Sequence, residues 1–111
     1  MGEQFVSVGD SRELEGLFAR SHERPVLIFK HSLTCPISAA AYDEMRRVGR
    51  EVSLVVVQKA RDVSKEVESR TGVRHESPQA LILRNGSVVW SASHWKVTAE
   101  EVGRALGEQE K

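Results

Sequence analysis

The only cysteine of the chain, Cys35, lies in the segment FKHSLTCPIS, where a proline follows it directly and Ser38 occupies the third position after it. A cysteine thiolate attacks the sulfur of a disulfide and becomes part of a mixed disulfide itself. A second cysteine at position 38 would resolve that mixed disulfide within the chain, but a serine hydroxyl does not attack sulfur usefully. The spacing therefore indicates a one-cysteine route that waits for an external thiol. The alternative for a lone cysteine is a buried apolar residue.

The position of Cys35 favours the reactive interpretation. It falls between a strand that ends near His31 and a helix that begins near Pro36, and open α/β sheets collect functional groups at this edge. Cysteines at helix N-termini have pKa values of roughly 3.5–7.5 instead of about 8.5, because unpaired N–H groups and the helix dipole stabilise the thiolate. Lys30 and His31 can add positive charge, although such a pair at a strand end is more commonly solvated. Ser38 either donates a hydrogen bond to the thiolate or bonds local backbone.

Patterns of apolar residues predict the elements that hold this segment. Runs of consecutive apolar residues, typical of strands covered on both faces, alternate with amphipathic stretches that begin at capping residues. The expected strands are 5–8, 25–31, 52–57 and the two within QALILRNGSVVWS (79–91). The expected helices begin at Asp10, Pro36, Asp62 and Thr98, and the first three end before Pro25, at Gly49 and near Gly72. The order βαβαβαββα predicts an α/β fold with a central mixed sheet of about five strands and four flanking helices.

Asn85 and Gly86 give the clearest local signal in the chain. Asn-Gly is the preferred dipeptide of a two-residue type I′ hairpin, in which both central residues need a positive φ angle. The last two strands are therefore expected to be antiparallel neighbours. The earlier strands are connected through helices, so we expect them to be mostly parallel.

The composition limits the classes of function. At 111 residues the chain is long enough for one core, so we expect a single domain, 1–111. Its 16 basic residues balance 16 acidic ones without a basic cluster, which argues against nucleic-acid binding. The start MGEQFVSVGD lacks the features of a secretory signal, no apolar run is long enough to cross a membrane, and one cysteine permits no internal disulfide. We therefore expect a cytoplasmic protein without membrane contact.

Several segments taken together resemble a known family. FKHSLTCPIS, RDVSKEV, GVRHESPQ, LRNG and SHW resemble, in this order, segments of the bacilliredoxin-like YtxJ family, a single-cysteine branch of the thioredoxin fold that is linked to the thiol bacillithiol. The predicted element order is similar to the thioredoxin fold across nearly the whole chain. The resemblance implies a monothiol bacilliredoxin, which removes bacillithiol from mixed disulfides on client proteins. Bacillithiol would then be a co-substrate, and no bound cofactor is expected.

The resemblance also implies roles for particular residues. Cys35 is the expected redox residue, and the bond before Pro78 is expected to be cis and opposite it, although most X-Pro bonds are trans. Ser77 would then present backbone groups to an extended client segment. The residues expected at the substrate are Thr34, Pro36, Ser38, Ser77 and Pro78, with Lys30, His31 and His75 as electrostatic or supporting neighbours. His75 is assigned either to the site or to the structure of its loop, and packing is favoured for His94 and Trp95.

Two other classes of protein stay open. In a noncatalytic thioredoxin-like binding module, Cys35 would be a packing or regulatory residue and would react slowly with alkylating reagents at neutral pH. A carrier would share an iron–sulfur cluster between two chains, but the chain lacks the Cys-Gly-Phe-Ser loop of monothiol glutaredoxins. No pair of histidines has the spacing of zinc ligands, so we expect no metal, and we expect a monomer.

Overall fold

Residues 4–110, which this computed structural model describes, form five strands and four α-helices in the predicted order βαβαβαββα. The strands are β1 (Phe5–Ser7), β2 (Val26–His31), β3 (Val52–Val56), β4 (Gln79–Arg84) and β5 (Ser87–Ser93). The helices are α1 (Ser11–Arg20), α2 (Pro36–Val48), α3 (Arg61–Thr71) and α4 (Ala99–Gln109), with a short 3₁₀ helix, His94–Lys96, before the last one. None of the described helices is long and apolar enough to span a membrane.

The five strands form one mixed sheet in the order β1-β3-β2-β4-β5. β3 runs parallel to both β1 and β2, while β4 runs antiparallel to β2 and β5. The antiparallel register pairs Lys30 with Gln79, so the C-terminal end of β2 lies beside the N-terminal end of β4. The loop that carries Cys35 follows the C-terminal end of β2, and Pro78 directly precedes the N-terminal end of β4. The topology therefore brings together two segments that are far apart in the sequence.

Hydrophobic cores on both faces of the sheet fix β2 at its centre. Val26, Leu27, Ile28 and Phe29 are each at most 4% exposed. Ile28 packs with side chains of α1 and α3, whereas Leu27 and Phe29 pack with side chains of α2 and α4. Burial of each such side chain stabilises the fold by about 1.5–3 kcal/mol. A strand held on both faces gives the loop that follows it a fixed starting point.

The helix starts confirm two of the predicted capping residues and correct a third. The side-chain oxygens of Asp10 and Thr98 accept backbone N–H groups at 2.8 and 3.2 Å, as capping residues do. The third helix begins at Arg61 after Ala60, so the prediction that Asp62 caps it is wrong. Asp62 lies in the first turn instead, where the helix dipole favours a carboxylate.

Asn85 and Gly86 form the predicted turn between β4 and β5. Their φ angles are 55° and 78°, both positive as a type I′ turn requires. The Asn85 N–H donates to the Ser21 carbonyl oxygen at 2.7 Å and the Gly86 N–H donates to Ser21 Oγ at 2.9 Å, which ties the hairpin to the end of α1. Because Val26 pairs with Leu83, this turn lies at the opposite edge of the sheet from Cys35.

Candidate functional site

Cys35 is the residue before the first turn of α2. Its backbone is extended, with φ −104° and ψ 119°, while its carbonyl oxygen already accepts the Ala39 N–H at 3.2 Å. Pro36 occupies the first helical position, where the missing N–H leaves no hydrogen bond unmade. The partly exposed thiol therefore lies at the N-terminus of a 13-residue helix, at the position predicted from the sequence.

The surroundings of Cys35 lower the pKa of its thiol below the ordinary value. The largest contribution comes from the backbone N–H of Ser38, with smaller ones from the Ile37 N–H and the Ser38 hydroxyl, while partial desolvation acts in the opposite direction. The Cys35 side chain itself makes no capping hydrogen bond. A larger fraction of Cys35 is therefore thiolate at neutral pH than in an ordinary cysteine.

Ser38 has both of the roles that the sequence leaves open. It is buried, and its Oγ accepts the Ser32 N–H at 3.2 Å, which ties the start of α2 to the loop before Cys35. Its hydroxyl proton stays available to the sulfur and contributes to the lowered pKa of Cys35. We call residues 32–38 the thiol segment.

Gln58, two residues after the end of β3, supports the thiol segment, and sequence reasoning missed it. Its Oε1 accepts the Leu33 N–H at 3.1 Å, and its Nε2 donates to Ser32 Oγ at 2.9 Å and to Thr34 Oγ1 at 3.4 Å. The available signal was its place shortly after β3, because the parallel strands β2 and β3 end at the same edge of the sheet. Thr34 itself is exposed beside Cys35, where the sequence placed it.

Ser77 and Pro78 lie at the start of β4, beside the end of β2 from which the thiol segment departs. The Ser77–Pro78 peptide bond is cis, as the resemblance implies. The Pro78 carbonyl oxygen accepts the His94 N–H at 2.9 Å, whereas within residues 4–110 the Ser77 backbone makes no hydrogen bond. The Ser77 hydroxyl is buried and has no partner in the same part of the chain. We call residues 73–78 the proline segment.

Lys30 departs furthest from the sequence-based expectation, because it is fully buried and not solvated at a strand end. Its Nζ donates to the Ser64 carbonyl oxygen of α3 at 2.9 Å and lies 3.2 Å from His75 Nδ1. Burial lowers the pKa of Lys30 from 10.5 to about 8, against the raising effect of Glu68. Lys30 is not among the groups that lower the Cys35 pKa: position 30 faces α3, and those groups belong to α2.

His31 faces α2 on the other side of the sheet. Its ring centroid lies 5.2 Å from that of Tyr42 and 5.7 Å from that of Phe29. Burial lowers the pKa of His31, with a hydrogen bond to the Ser38 backbone acting against it, and Nδ1 is buried without a partner among the described residues. The lowered pKa favours the neutral imidazole of His31, so a positive charge from His31 near Cys35 is not favoured.

His75 belongs to the support of the proline segment. Its backbone N–H donates to Glu68 Oε2 at 2.8 Å, and its Nδ1 lies 3.3 Å from Ser64 Oγ in addition to the contact with Lys30. Burial lowers the pKa of His75 most, and the positive charge of Lys30 lowers it further, while Glu68 and Glu76 oppose the shift. Of the two roles that the sequence leaves open for His75, these contacts fit the structural one.

His94 and Trp95 lie on the surface beside the site, so the expected packing role is wrong for both. Trp95 is 70% exposed, and the His94 ring lies 3.8 Å from the Glu76 carboxylate with nearly half of its area exposed. The chain turns outward at His94, where φ is 55°, at the same residue whose N–H bonds Pro78. Trp95 lines a cavity of about 110 Å³ together with Ile37 of α2.

The arrangement as a whole suits the chemistry of a single thiolate. A partly exposed thiol with a lowered pKa begins α2, and the backbone of Ser77 lies unbonded at the neighbouring strand end. Within residues 4–110, no three histidine, cysteine or acidic side chains come close enough together to hold a metal ion.

Comparisons with known proteins identify the fold and the family. A family model described as monothiol bacilliredoxin BrxC matches residues 7–102. A solved structure described as an oxidoreductase with a thioredoxin fold is 32% identical, has a TM-score of 0.83, and is matched over 92% of this chain and 93% of that one. Thioredoxins from Fasciola hepatica (11% identity, TM-score 0.73, 94% and 98% covered) and Malassezia sympodialis (14%, 0.73, 98% and 92%) share the fold. The predicted thioredoxin-like fold with a mixed five-stranded sheet is therefore confirmed.

Proposed function

Since the chain belongs to the monothiol bacilliredoxin family and has a thioredoxin fold, we propose that it removes bacillithiol from mixed disulfides on other proteins through Cys35. The observation that supports this most is the position of Cys35 at the start of α2, with a lowered pKa and with a serine in the place of a resolving cysteine. The client proteins and bacillithiol are the proposed partners, and the reaction needs no bound cofactor. The proposed setting is the cytoplasm, with the protein acting as a monomer.

In the first step, the Cys35 thiolate attacks the bacillithiol sulfur of the client mixed disulfide. A new disulfide forms between Cys35 and bacillithiol while the client disulfide breaks, and the client cysteine leaves as a thiolate that takes a proton from water. This exchange involves no net oxidation or reduction. The donors at Ser38 and Ile37 keep Cys35 in the reactive form before attack.

In the second step, a free thiol releases Cys35. A thiolate of bacillithiol attacks the bacillithiol sulfur of the adduct, so that Cys35 departs as a thiolate and bacillithiol disulfide is formed. Over the two steps the client sulfur is reduced from a disulfide to a thiol and the added bacillithiol thiol is oxidised to a disulfide, while the transferred bacillithiol sulfur stays in a disulfide throughout. Ser38 donates hydrogen bonds in both steps but never attacks sulfur.

The proline segment is the proposed docking edge for the client. The Ser77 backbone N–H and C=O, which make no hydrogen bond within the described residues, can pair with an extended client segment in the manner of an added strand. Thr34 and Pro36 are exposed on either side of Cys35 and would flank the bound disulfide. Pairing through backbone groups requires little side-chain specificity, which suits a protein with several clients.

A mass-spectrometric time course tests the proposal. A client protein with one bacillithiol-modified cysteine is mixed with this protein in the absence of free thiol. We expect the client to lose one bacillithiol, this protein to gain one, and turnover to stop until bacillithiol is added. Cys35→Ala should abolish the transfer, whereas Ser38→Cys should release bacillithiol by forming an internal disulfide. If Cys35 never gains the adduct, or if Cys35→Ala performs equally well, the noncatalytic binding module takes the place of the enzyme.

A further inference from the structure

Lys30 is fully buried, and no step of the proposed reaction uses it. We propose that Lys30 is a positioning residue for client docking, which holds His75 and through it the proline segment in the conformation that exposes the Ser77 backbone. This inference rests on the proposed function and adds to it the residue that holds the docking edge in place. In this proposal Lys30 contacts neither the thiolate nor the client.

The contacts of Lys30 join three parts of the fold. From its place in β2, its Nζ reaches the Ser64 carbonyl oxygen in α3 at 2.9 Å and His75 Nδ1 in the proline segment at 3.2 Å. Because an ammonium group has only donors, His75 must accept through Nδ1 and carry its ring proton on Nε2. The positive charge of Lys30 also disfavours protonation of His75, which keeps this acceptor available.

Packing alone does not account for a lysine at this position. Removing an ammonium group from water is costly, and an apolar side chain of similar length would fill the same space without that cost. Ser64 already lies in a helix, where its carbonyl oxygen has a helical partner, so it does not require Lys30 as a donor. Of the two partners of Lys30, His75 is therefore the one that we infer Lys30 positions, together with Ser64 Oγ, which lies 3.3 Å from the same Nδ1.

Three further hydrogen bonds anchor the proline segment at Arg74, His75 and Pro78, on either side of Ser77. The His75 N–H is held by Glu68, the Arg74 carbonyl oxygen accepts Gln79 Nε2 at 2.9 Å, and Pro78 at the end of the segment is held by the His94 N–H. Ser77, between these anchors, makes no backbone hydrogen bond within residues 4–110. An unbonded residue keeps one conformation only if its neighbours are fixed, so loss of the Lys30 contact should loosen Ser77.

The substitution Lys30→Met separates this role from thiol activation. Methionine fills the space of the lysine chain but donates no hydrogen bond, and Lys59→Met makes the same change at an exposed lysine as a control. We expect Lys30→Met to raise the KM for the bacillithiol-modified client about tenfold. The rate of Cys35 alkylation by iodoacetamide should stay within about twofold, because the donors to the thiolate belong to α2. Equal losses in KM and in alkylation would overturn the proposal.

A double-mutant cycle tests whether Lys30 acts through His75. His75→Leu removes the acceptor, and the double variant Lys30→Met/His75→Leu should have no higher KM than either single variant. His75→Gln keeps an acceptor oxygen that Lys30 can use, so its KM should lie closer to that of the natural protein. Additive effects of Lys30→Met and His75→Leu would show that the two residues act independently and would contradict the proposal.

Hydrogen exchange separates failure of this inference from failure of the proposed function. The His94 N–H is bonded to Pro78, so it should exchange about tenfold faster in Lys30→Met than in Lys59→Met even if bacillithiol proves not to be the substrate. If the natural protein takes no bacillithiol but this exchange accelerates, the proposed function fails and the positioning role stands. If the client reaction proceeds and neither KM nor exchange changes in Lys30→Met, the positioning role fails alone.

Discussion

The thiol segment and the proline segment meet at one edge of the sheet, but different kinds of group hold and tune them. The thiolate of Cys35 is favoured mainly by backbone N–H groups of α2, with one hydroxyl in addition. The proline segment depends on side chains from β2 and α3, above all Lys30 and Glu68, and these contact His75. Backbone donors are present at every helix start, whatever its residues, whereas side-chain donors require particular residues. Reactivity should therefore tolerate substitution better than docking does.

The largest expected effect comes from removing the nucleophile itself. Cys35→Ser should reduce bacillithiol transfer at least about a thousandfold, because a serine hydroxyl does not attack sulfur at neutral pH. Docking should survive, since the proline segment is unchanged, so isothermal titration of Cys35→Ser with the bacillithiol-modified client should still show binding, without the transfer that the natural protein carries out. A variant that loses client binding as well would contradict the separation of the two segments.

The next largest effect concerns the cost of burying the charged Lys30 side chain, which lowers the free energy of unfolding. Its pKa is lowered from 10.5 to about 8, so between these pH values the unfolded chain binds more protons than the folded one. The free energy of unfolding should therefore rise with pH across this window, by at most about 3 kcal/mol. Urea unfolding in a Cys35→Ser background, which removes the titration of the thiol, should show the rise. The same experiment with Lys30→Met should give a flat profile, and an equal rise in both would contradict the burial of the charge.

A smaller effect is expected when the Cys35 thiolate loses the Ser38 hydroxyl as a donor. Ser38→Ala removes the hydroxyl and leaves the N–H groups of residues 37 and 38, so the pKa of Cys35 should rise but stay below that of a free cysteine. Thiolate absorbance against pH measures the shift, and iodoacetamide alkylation at neutral pH should slow severalfold. Ser69→Ala, at an exposed position, is the control. A rise above the pKa of a free cysteine would mean that the hydroxyl, and not the backbone, activates Cys35.

The smallest effect should follow from a mild change in α3, at a side chain that holds the proline segment. Glu68→Gln keeps an oxygen for the His75 N–H but removes the negative charge, so the KM for the client should rise about twofold. Glu23→Gln, at an exposed position, should leave the KM unchanged. A larger change in the alkylation rate of Cys35 than in KM would indicate that Glu68 acts on the thiol segment.

The difference between local and distant contacts explains how much of the candidate site could be predicted from the sequence. The activation of Cys35 depends on groups within a few residues of it, so the strand before it, the proline at the helix start and Ser38 were sufficient to place the thiol, whereas the support of the thiol segment by the distant Gln58 was missed. Lys30 was misassigned because its contacts with Ser64 and His75 lie in distant parts of the sequence and no local pattern reports them. A lysine that follows four apolar residues looks like the end of a buried strand, and only the packing of α3 over it reveals its burial.

The exposure of His94 and Trp95 was not predicted from the sequence either. Trp95 was expected to pack because large aromatic side chains are mostly buried. The φ angle of His94 is left-handed at the start of the short 3₁₀ helix, and the His94 N–H is bonded to the distant Pro78, which no local pattern in the sequence reports. Gln58 could have been found by asking which polar residues follow the strand parallel to β2, since that question uses only the predicted topology.

The exposure of Trp95 also gives the protein an intrinsic optical signal. Its indole lines a small cavity with Ile37, whose N–H faces the sulfur of Cys35, and it is 70% exposed. Indole emission depends on the polarity of its surroundings, so a bulky adduct arriving on Cys35 should change the fluorescence of Trp95. The only other tryptophan, Trp90, lies half-buried in β5 and would contribute a constant background. The formation and release of the adduct could therefore be followed in real time by stopped-flow fluorescence, without a label.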